Sequence, residues 1–303
     1  MRNDVIFGPV PSRRLGRSLG INLVPHKICT LDCLYCEVGR SAAHTTRIAP
    51  YTPAKLILQE FNKVYSSLKD KIDVVTLTGA GEPTLNSELS DIIYGIKETT
   101  ILPIAILTNS TTLSEPAVAE ALLLCDIVVP SLDAVTQSVF EAVDKPAKGI
   151  MVDTIINAIA DFSHKFTGKL FLELLLVKGV NDSEGDLKAF AQAAKRIKYT
   201  TVQLGTVFRP PAWEGTARLT DEELHHAYEL LVAEGLTVEP VGVFAKKNDK
   251  TDSLNELKAM LKLRPVTIND IIATTGMSRD EVESFLQEIN AQKQLYDGEI
   301  YYK

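Results

Sequence analysis

Six apolar, β-branched runs, near residues 19–24, 73–78, 103–108, 126–132, 169–177 and 201–207, alternate with helical patterns at 52–68, 87–98, 115–124, 151–166 and 182–195. Strands apolar on both faces belong to a parallel sheet, because the crossover helices cover both of its sides. The alternation predicts an α/β fold, and six such units predict a (β/α)6 partial TIM barrel. In barrels of this kind the chemistry gathers at the carboxyl ends of the strands. At 303 residues the chain has room for one large domain and a small one.

Just past the first run, Cys29, Cys33 and Cys36 form a C-x3-C-x2-C triplet. Three thiolates on so short a loop are able to bind three irons of a cubane cluster, and the fourth iron, without a nearby cysteine, stays open to a small molecule. Zinc and a disulfide are the competing readings. His26 is close enough in sequence to complete a Cys3His set, although structural zinc normally uses two ligand pairs. The remaining cysteine, Cys125, lies in an apolar stretch and reads as a buried structural thiol, so the chain lacks the ligands for a second cluster.

The triplet, with Tyr35 just before its last cysteine, resembles the signature of the radical S-adenosylmethionine (radical SAM) superfamily. The next elements stand in that family's order. Gly79-Ala80-Gly81-Glu82-Pro83 closes the second run and is similar to the family's G-G-E-P element, Asn109 tips the third run, and Ser131 and Asp133 tip the fourth. The resemblance, which covers about 1–245, implies one 4Fe-4S cluster on Cys29, Cys33 and Cys36, with S-adenosylmethionine bound at its open iron. It places Gly79, Gly81 and Glu82 at the methionine amino group, Asn109, Ser131 and Asp133 at the carboxylate or ribose, and Tyr35 near adenine. For each residue taken singly, a turn or strand-end hydrogen bond is the alternative. The implied reaction is reductive cleavage of S-adenosylmethionine to a 5′-deoxyadenosyl radical that abstracts hydrogen from a substrate, with electrons from a donor such as flavodoxin or ferredoxin.

Further segments resemble the subgroup related to the wyosine-base tRNA synthases: the arginine-rich stretch with Arg13, Arg14 and Arg17, the turn with Lys178 and Asn181, and the turn with Arg209. These six side chains are candidates for holding an anionic or nucleotide-like substrate, Arg209 foremost because it follows a strand directly. Alternatively, the arginines cover the barrel's lower end and pair with carboxylates there, and Asn181-Asp182 caps a helix. tRNA base modification is a further possibility within enzymes. A net charge of −7 opposes binding to a polyanion. The archaeal wyosine synthases also carry a second cysteine-bound cluster and the eukaryotic ones a flavodoxin domain, neither of which is encoded here.

Residues 246–253 are a polar linker. Beyond it, helical patterns at 254–263, 268–275 and 279–292 and a hairpin at 295–302 turning on Asp297-Gly298 predict a small winged-helix domain over 254–303. Its candidate recognition helix carries four acids against one base, which disfavours DNA and leaves packing, dimerisation or protein contact as its role. A redox-sensing regulatory iron–sulfur protein with this domain as its output is the reading from a different class. With no apolar run long enough to span a bilayer and no apolar signal core, the chain is expected to be cytoplasmic.

Overall fold

The computed structural model describes residues 5–12, 15–25, 27–241, 261 and 265–303. Its main sheet has eight strands: β1 (Ile6–Ser12), β2 (Gly16–Asn22), β5 (Val74–Thr78), β6 (Ile104–Thr108), β7 (Ile127–Pro130), β8 (Lys169–Leu176), β9 (Thr201–Thr206) and β10 (Val238–Pro240), paired in that order. The short strands β3 (Ile28–Cys29) and β4 (Ala43–His44) pair within the cysteine loop. All neighbours from β2 to β10 are parallel, and β1 runs antiparallel to β2.

All six predicted strands are present, and two more extend the sheet. β1 escapes a periodicity reading because Gly8, Pro9 and Pro11 interrupt it, and an end strand tolerates proline. The three-residue β10 is too short to carry a pattern.

Helices α1 (Ala54–Leu68), α2 (Leu89–Thr99), α3 (Pro116–Leu122), α4 (Gln137–Val143), α5 (Val152–Lys165), α6 (Glu184–Ala194) and α7 (Asp221–Ala233) cross between the strands. Each buries one stripe: Ile57 and Phe61 on α1, and Ile155, Ile156, Ile159 and Phe162 on α5. On β8 the two faces separate. Leu170, Leu172, Leu174 and Leu176 are buried, while Phe171, Glu173 and Leu175 are half-exposed. Glu173 and Leu175 line an interior cavity together with residues of β1, β2, β5, β6 and β9, so the sheet curls into an open barrel. No described helix is long and apolar enough to cross a membrane.

The predicted linker and most of the helix at 254–263 lie outside the described residues. The C-terminal unit is a three-stranded sheet of β11 (Val266–Thr267), β13 (Glu299–Tyr302) and β12 (Lys293–Tyr296), with helices Ile268–Thr275 and Arg279–Glu288. The first helix starts on a capping box of Thr267 and Asp270 and ends at Gly276 in the left-handed region; the second starts on a box of Ser278 and Glu281. This unit packs on the barrel. Val10 of β1 joins its core of Val266, Ile271, Val282, Phe285 and Leu286, the Tyr301 hydroxyl donates to the Phe208 carbonyl at 2.8 Å, and Arg218 pairs with Asp297 at 2.7 Å.

Candidate active site

The cysteine loop leaves the carboxyl end of β2 and is braced from two sides. On one side, the Glu82 amide donates to the Ile28 carbonyl at 3.0 Å, an approach so close that a Cβ on Gly81 would lie 1.8 Å from that oxygen. On the other, the Leu34 amide donates to the Val143 carbonyl and the Asp32 amide to the Asp144 carbonyl. Residues 143–147, at the end of α4 and just beyond it, thus form a cradle for the loop that no motif announced.

Among the described residues, no three His, Cys, Asp or Glu side chains are drawn together as a metal site. The donor set nevertheless fits an iron–sulfur cluster: three thiols within eight residues, none of them in a disulfide, with N–H groups already at the sulfurs. Lys27 Nζ donates to Cys36 Sγ at 2.7 Å, while Asn109 Nδ2 and the Leu31 amide reach Cys29 Sγ at 3.5 Å. Hydrogen bonds of this kind tune cluster potentials. Burial, with the Glu82 charge second, pushes the Cys29 thiol up to about 12, and burial, with the Asp144 charge second, raises Cys33 well above its ordinary value. Metal binding must therefore release protons. Asp144 itself is pushed up to about 7 by burial. Cys125 is buried in the core, as its sequence context predicts.

Glu82 is fully enclosed. Its Oε1 accepts from the Thr84 amide at 3.1 Å, Thr84 Oγ1 at 2.6 Å and Thr108 Oγ1 at 2.7 Å, and its Oε2 from the Asn109 amide at 2.8 Å. Burial raises its pKa, and these donors pull it partly back. The structure thus spends this carboxylate on joining the β5 turn to the tip of β6. Gly79 and Ala80 do face the cavity, their turn pinned by Asn22 Oδ1, which accepts from the Ala80 amide at 2.9 Å. Asn109 bonds Thr30 Oγ1 at 2.9 Å. Ser131 Oγ donates to Glu173 Oε2 at 2.9 Å. The Tyr35 hydroxyl donates to Asp133 Oδ2, whose other oxygen accepts from the Leu175 amide at 2.7 Å. Burial raises both the Tyr35 and Asp133 pKa values. These tips therefore converge on the cysteine loop, as their order in the sequence implies.

The substrate candidates separate. Arg17 sits at the opposite, amino end of β2 and grips Asp73 through its amide at 2.7 Å and Nη2 at 2.9 Å, the alternative pairing foreseen for the arginine stretch. Arg13 and Arg14 lie outside the described residues. Lys178 is exposed and turned to Glu223 on α7 at 2.7 Å. Asn181 is buried and clamps backbone, donating to the Asp133 carbonyl at 2.7 Å and the Leu175 carbonyl at 2.9 Å. Ser183, not Asn181 or Asp182, caps α6. Arg209 alone of the described candidates lines the cavity, buried and paired through Nη1 with Glu37 Oε2 at 2.8 Å. Asn22, Asp144 and Thr108 escaped the sequence reading because their partners are distant in the chain; Lys27 and Thr84 escaped it although their partners lie nine and two residues away.

Residues 23–191 match the Radical SAM superfamily. A UPF0026 protein of Helicobacter pylori is 37% identical over 271 residues, covering 88% of this chain and 86% of that protein. A protein of Brachyspira hyodysenteriae named GTPase Obg is 33% identical over 309 residues; all of this chain is matched, but it spans only 45% of that protein's length. The structure of TYW1 with a lysine–pyruvate adduct bound superposes with a TM-score of 0.54 at 15% identity, over 75% of this chain and 76% of that one. The cysteine loop, the strand tips around it and these matches agree: the chain belongs to the radical SAM superfamily of enzymes.

Proposed function

We propose that this chain holds one 4Fe-4S cluster on Cys29, Cys33 and Cys36, binds S-adenosylmethionine beside it, and directs radical chemistry at a small molecule inside the barrel. The observation that carries this reading is the opening of the cysteine loop onto the barrel interior. Tyr35 and Cys36 line one cavity of about 350 Å³ together with Gly79, Ala80, Glu173 and Arg209.

When bound, the cluster supplies the electron for cleaving S-adenosylmethionine to methionine and an adenosyl radical. The chain's own residues position and enclose. Gly79 and Ala80 offer backbone at close range to the methionine amino group, and Asn109 and Ser131 offer polar groups to its carboxylate or the ribose. The Tyr35–Asp133 hydrogen bond ties the cysteine loop to the tip of β7 and fixes the ring that flanks adenine. Glu82 acts one step back, holding the turn that presents Gly79. An electron donor such as flavodoxin or ferredoxin is required from outside the chain, and a reducing cytoplasm suits the cluster.

The C-terminal unit, read as a winged helix, serves here as part of the enzyme. It is bonded to the carbonyl of Phe208, and its second helix exposes Asp280, Glu281, Glu283 and Glu288, which disfavours a DNA-reading redox sensor. The net charge of −7 favours a free small molecule over tRNA. Anaerobic reconstitution with iron and sulfide tests the cluster. About four irons per chain, with an electron paramagnetic resonance signal of the reduced protein that S-adenosylmethionine alters, supports it. Stoichiometric zinc in place of iron would remove it.

A further inference from the structure

Lys27, just ahead of the cysteine triplet, is only 6% exposed, and no carboxylate among the described residues pairs with its ammonium. Nζ donates instead to Cys36 Sγ at 2.7 Å and to the Gly39 carbonyl. A buried ammonium left without a counter-charge is costly, so this placement needs a negative partner. The partner at hand is the sulfur, which binds iron as a thiolate.

The lysine is held there from both ends. Its backbone has a φ of 53°, in the left-handed region that residues with a Cβ rarely occupy. Its carbonyl accepts from the amides of Ala42 at 3.2 Å and Ala43 at 3.5 Å, where the loop returns to pair with β3. The bond to Gly39 fastens the ammonium to the same returning segment. Charge decides what the ammonium does at the sulfur. Behind burial, Glu82 at Cys29, and Asp144 and Asp133 at Cys33, oppose negative charge on the sulfurs, whereas Lys27 favours it at Cys29. The donors at Cys29 Sγ, Asn109 Nδ2 and the Leu31 amide, are neutral and stand at 3.5 Å. A charged donor at shorter range acts more strongly than either.

We infer that Lys27 sets the reduction potential of the cluster, its ammonium at Cys36 Sγ favouring the reduced form. This rests on the 4Fe-4S reading proposed above. A core with two positive charges on three thiolates is a monoanion; one electron, taken from dithionite or a donor protein with no bond formed or broken, makes it a dianion. A cation at a ligand sulfur attracts the second state more than the first, so it raises the potential. Lys27 does not line the barrel cavity, so substrate contact does not account for it. It is a positioning residue that acts on the electron step through a ligand. The competing role, fastening the loop through Gly39 alone, leaves the potential unmoved.

The test is a potentiometric titration of the reconstituted full chain without S-adenosylmethionine, followed by the electron paramagnetic resonance of the reduced cluster, in wild type, Lys27→Arg, Lys27→Gln and Lys27→Met. All three replacements are unbranched at Cβ like lysine, so none adds strain to the left-handed backbone. Lys27→Met is expected to lower the reduced-to-oxidised ratio at a fixed potential about tenfold, which is about 59 mV for one electron. Lys27→Gln keeps a donor without the charge and is expected to fall between, with Lys27→Arg closest to wild type. Equal potentials in wild type and Lys27→Met, or a higher one in the variant, would overturn the inference. Where Lys27→Met takes up no cluster, the Arg and Gln variants decide, and equal potentials in those two overturn it as well. Wild type labelled at lysine side-chain nitrogens provides a check without substitution: pulsed electron paramagnetic resonance is expected to find one lysine nitrogen coupled to the reduced cluster and lost in Lys27→Arg, and the absence of any such coupling contradicts the inference. Zinc in place of iron in the wild type would remove the proposed function and this inference together, whereas a full iron–sulfur cluster with equal potentials removes this inference alone.

Discussion

Arg209 Nη1 donates to Glu37 Oε2 at 2.8 Å, so the turn beyond β9 is tied to the residue that immediately follows Cys36. One ion pair thus joins the far wall of the cavity to the cysteine loop. Burial disfavours the Arg209 charge, and Glu37, Asp270 and Tyr301 together outweigh that effect, so the charge is held firmly. Glu37→Gln keeps an acceptor but leaves a buried guanidinium without its nearest counter-charge. The expected loss is about 1–3 kcal/mol, below the 3–5 kcal/mol typical of a fully buried pair because the Glu37 side chain is partly exposed. Urea denaturation of the metal-free chain measures it; an unchanged midpoint would show that the pair does not hold the two segments together.

Glu82→Gln separates a bracing role from a ligand role. Four donors converge on the Glu82 carboxylate, and an amide cannot accept from all of them, so a loss of about 2 kcal/mol is expected in metal-free protein. The folded-state pKa is raised by burial. The wild type's lead over the variant is therefore greatest below the carboxyl's ordinary value of 4.5 and shrinks as the pH rises through the folded value. Denaturation at a series of pH values reads both effects. Unchanged stability with abolished S-adenosylmethionine binding would make Glu82 the partner of the methionine amino group instead.

Asp73 has the opposite sign. The hydrogen bond from Arg17 holds its carboxyl below the ordinary value of 3.8, so the pair stabilises the fold above that pH and the contribution fades as pH falls through the folded value. Being exposed, it contributes about 1 kcal/mol or less. Asp73→Asn should lower the melting temperature slightly at neutral pH, with the difference closing in acid and in high salt, and should leave S-adenosylmethionine binding untouched because the pair lies at the amino end of β2. A loss of cofactor binding in this variant would return Arg17 to the active site.

Much of this arrangement is legible in the sequence, because most of the parallel strands are apolar runs whose tips change abruptly to Gly, Asn, Ser and Asp. The family resemblance groups Asn109, Ser131 and Asp133 at the cofactor; in the structure Asn109 bonds Thr30 and Asp133 bonds Tyr35 of the cysteine loop, while Ser131 bonds Glu173 of β8. The identity of long-range partners escapes the sequence. Nothing local marks that Thr108 will help enclose Glu82, or that Arg17 will find Asp73 while Arg209 finds Glu37. Lys178 and Arg209 both lie just beyond strands, and only packing against α7 turns the first outward. β1 is hidden by its own prolines, and the brace at 143–147 by having no motif.

The most direct test is anaerobic reconstitution followed by dithionite reduction with S-adenosylmethionine, with chromatographic measurement of 5′-deoxyadenosine in wild type and Cys33→Ala. A radical SAM enzyme built on Cys29, Cys33 and Cys36 forms 5′-deoxyadenosine in the wild type and none above background in the variant. Equal formation in both proteins, or none in a wild type that carries a full cluster and binds S-adenosylmethionine, would contradict the proposed chemistry.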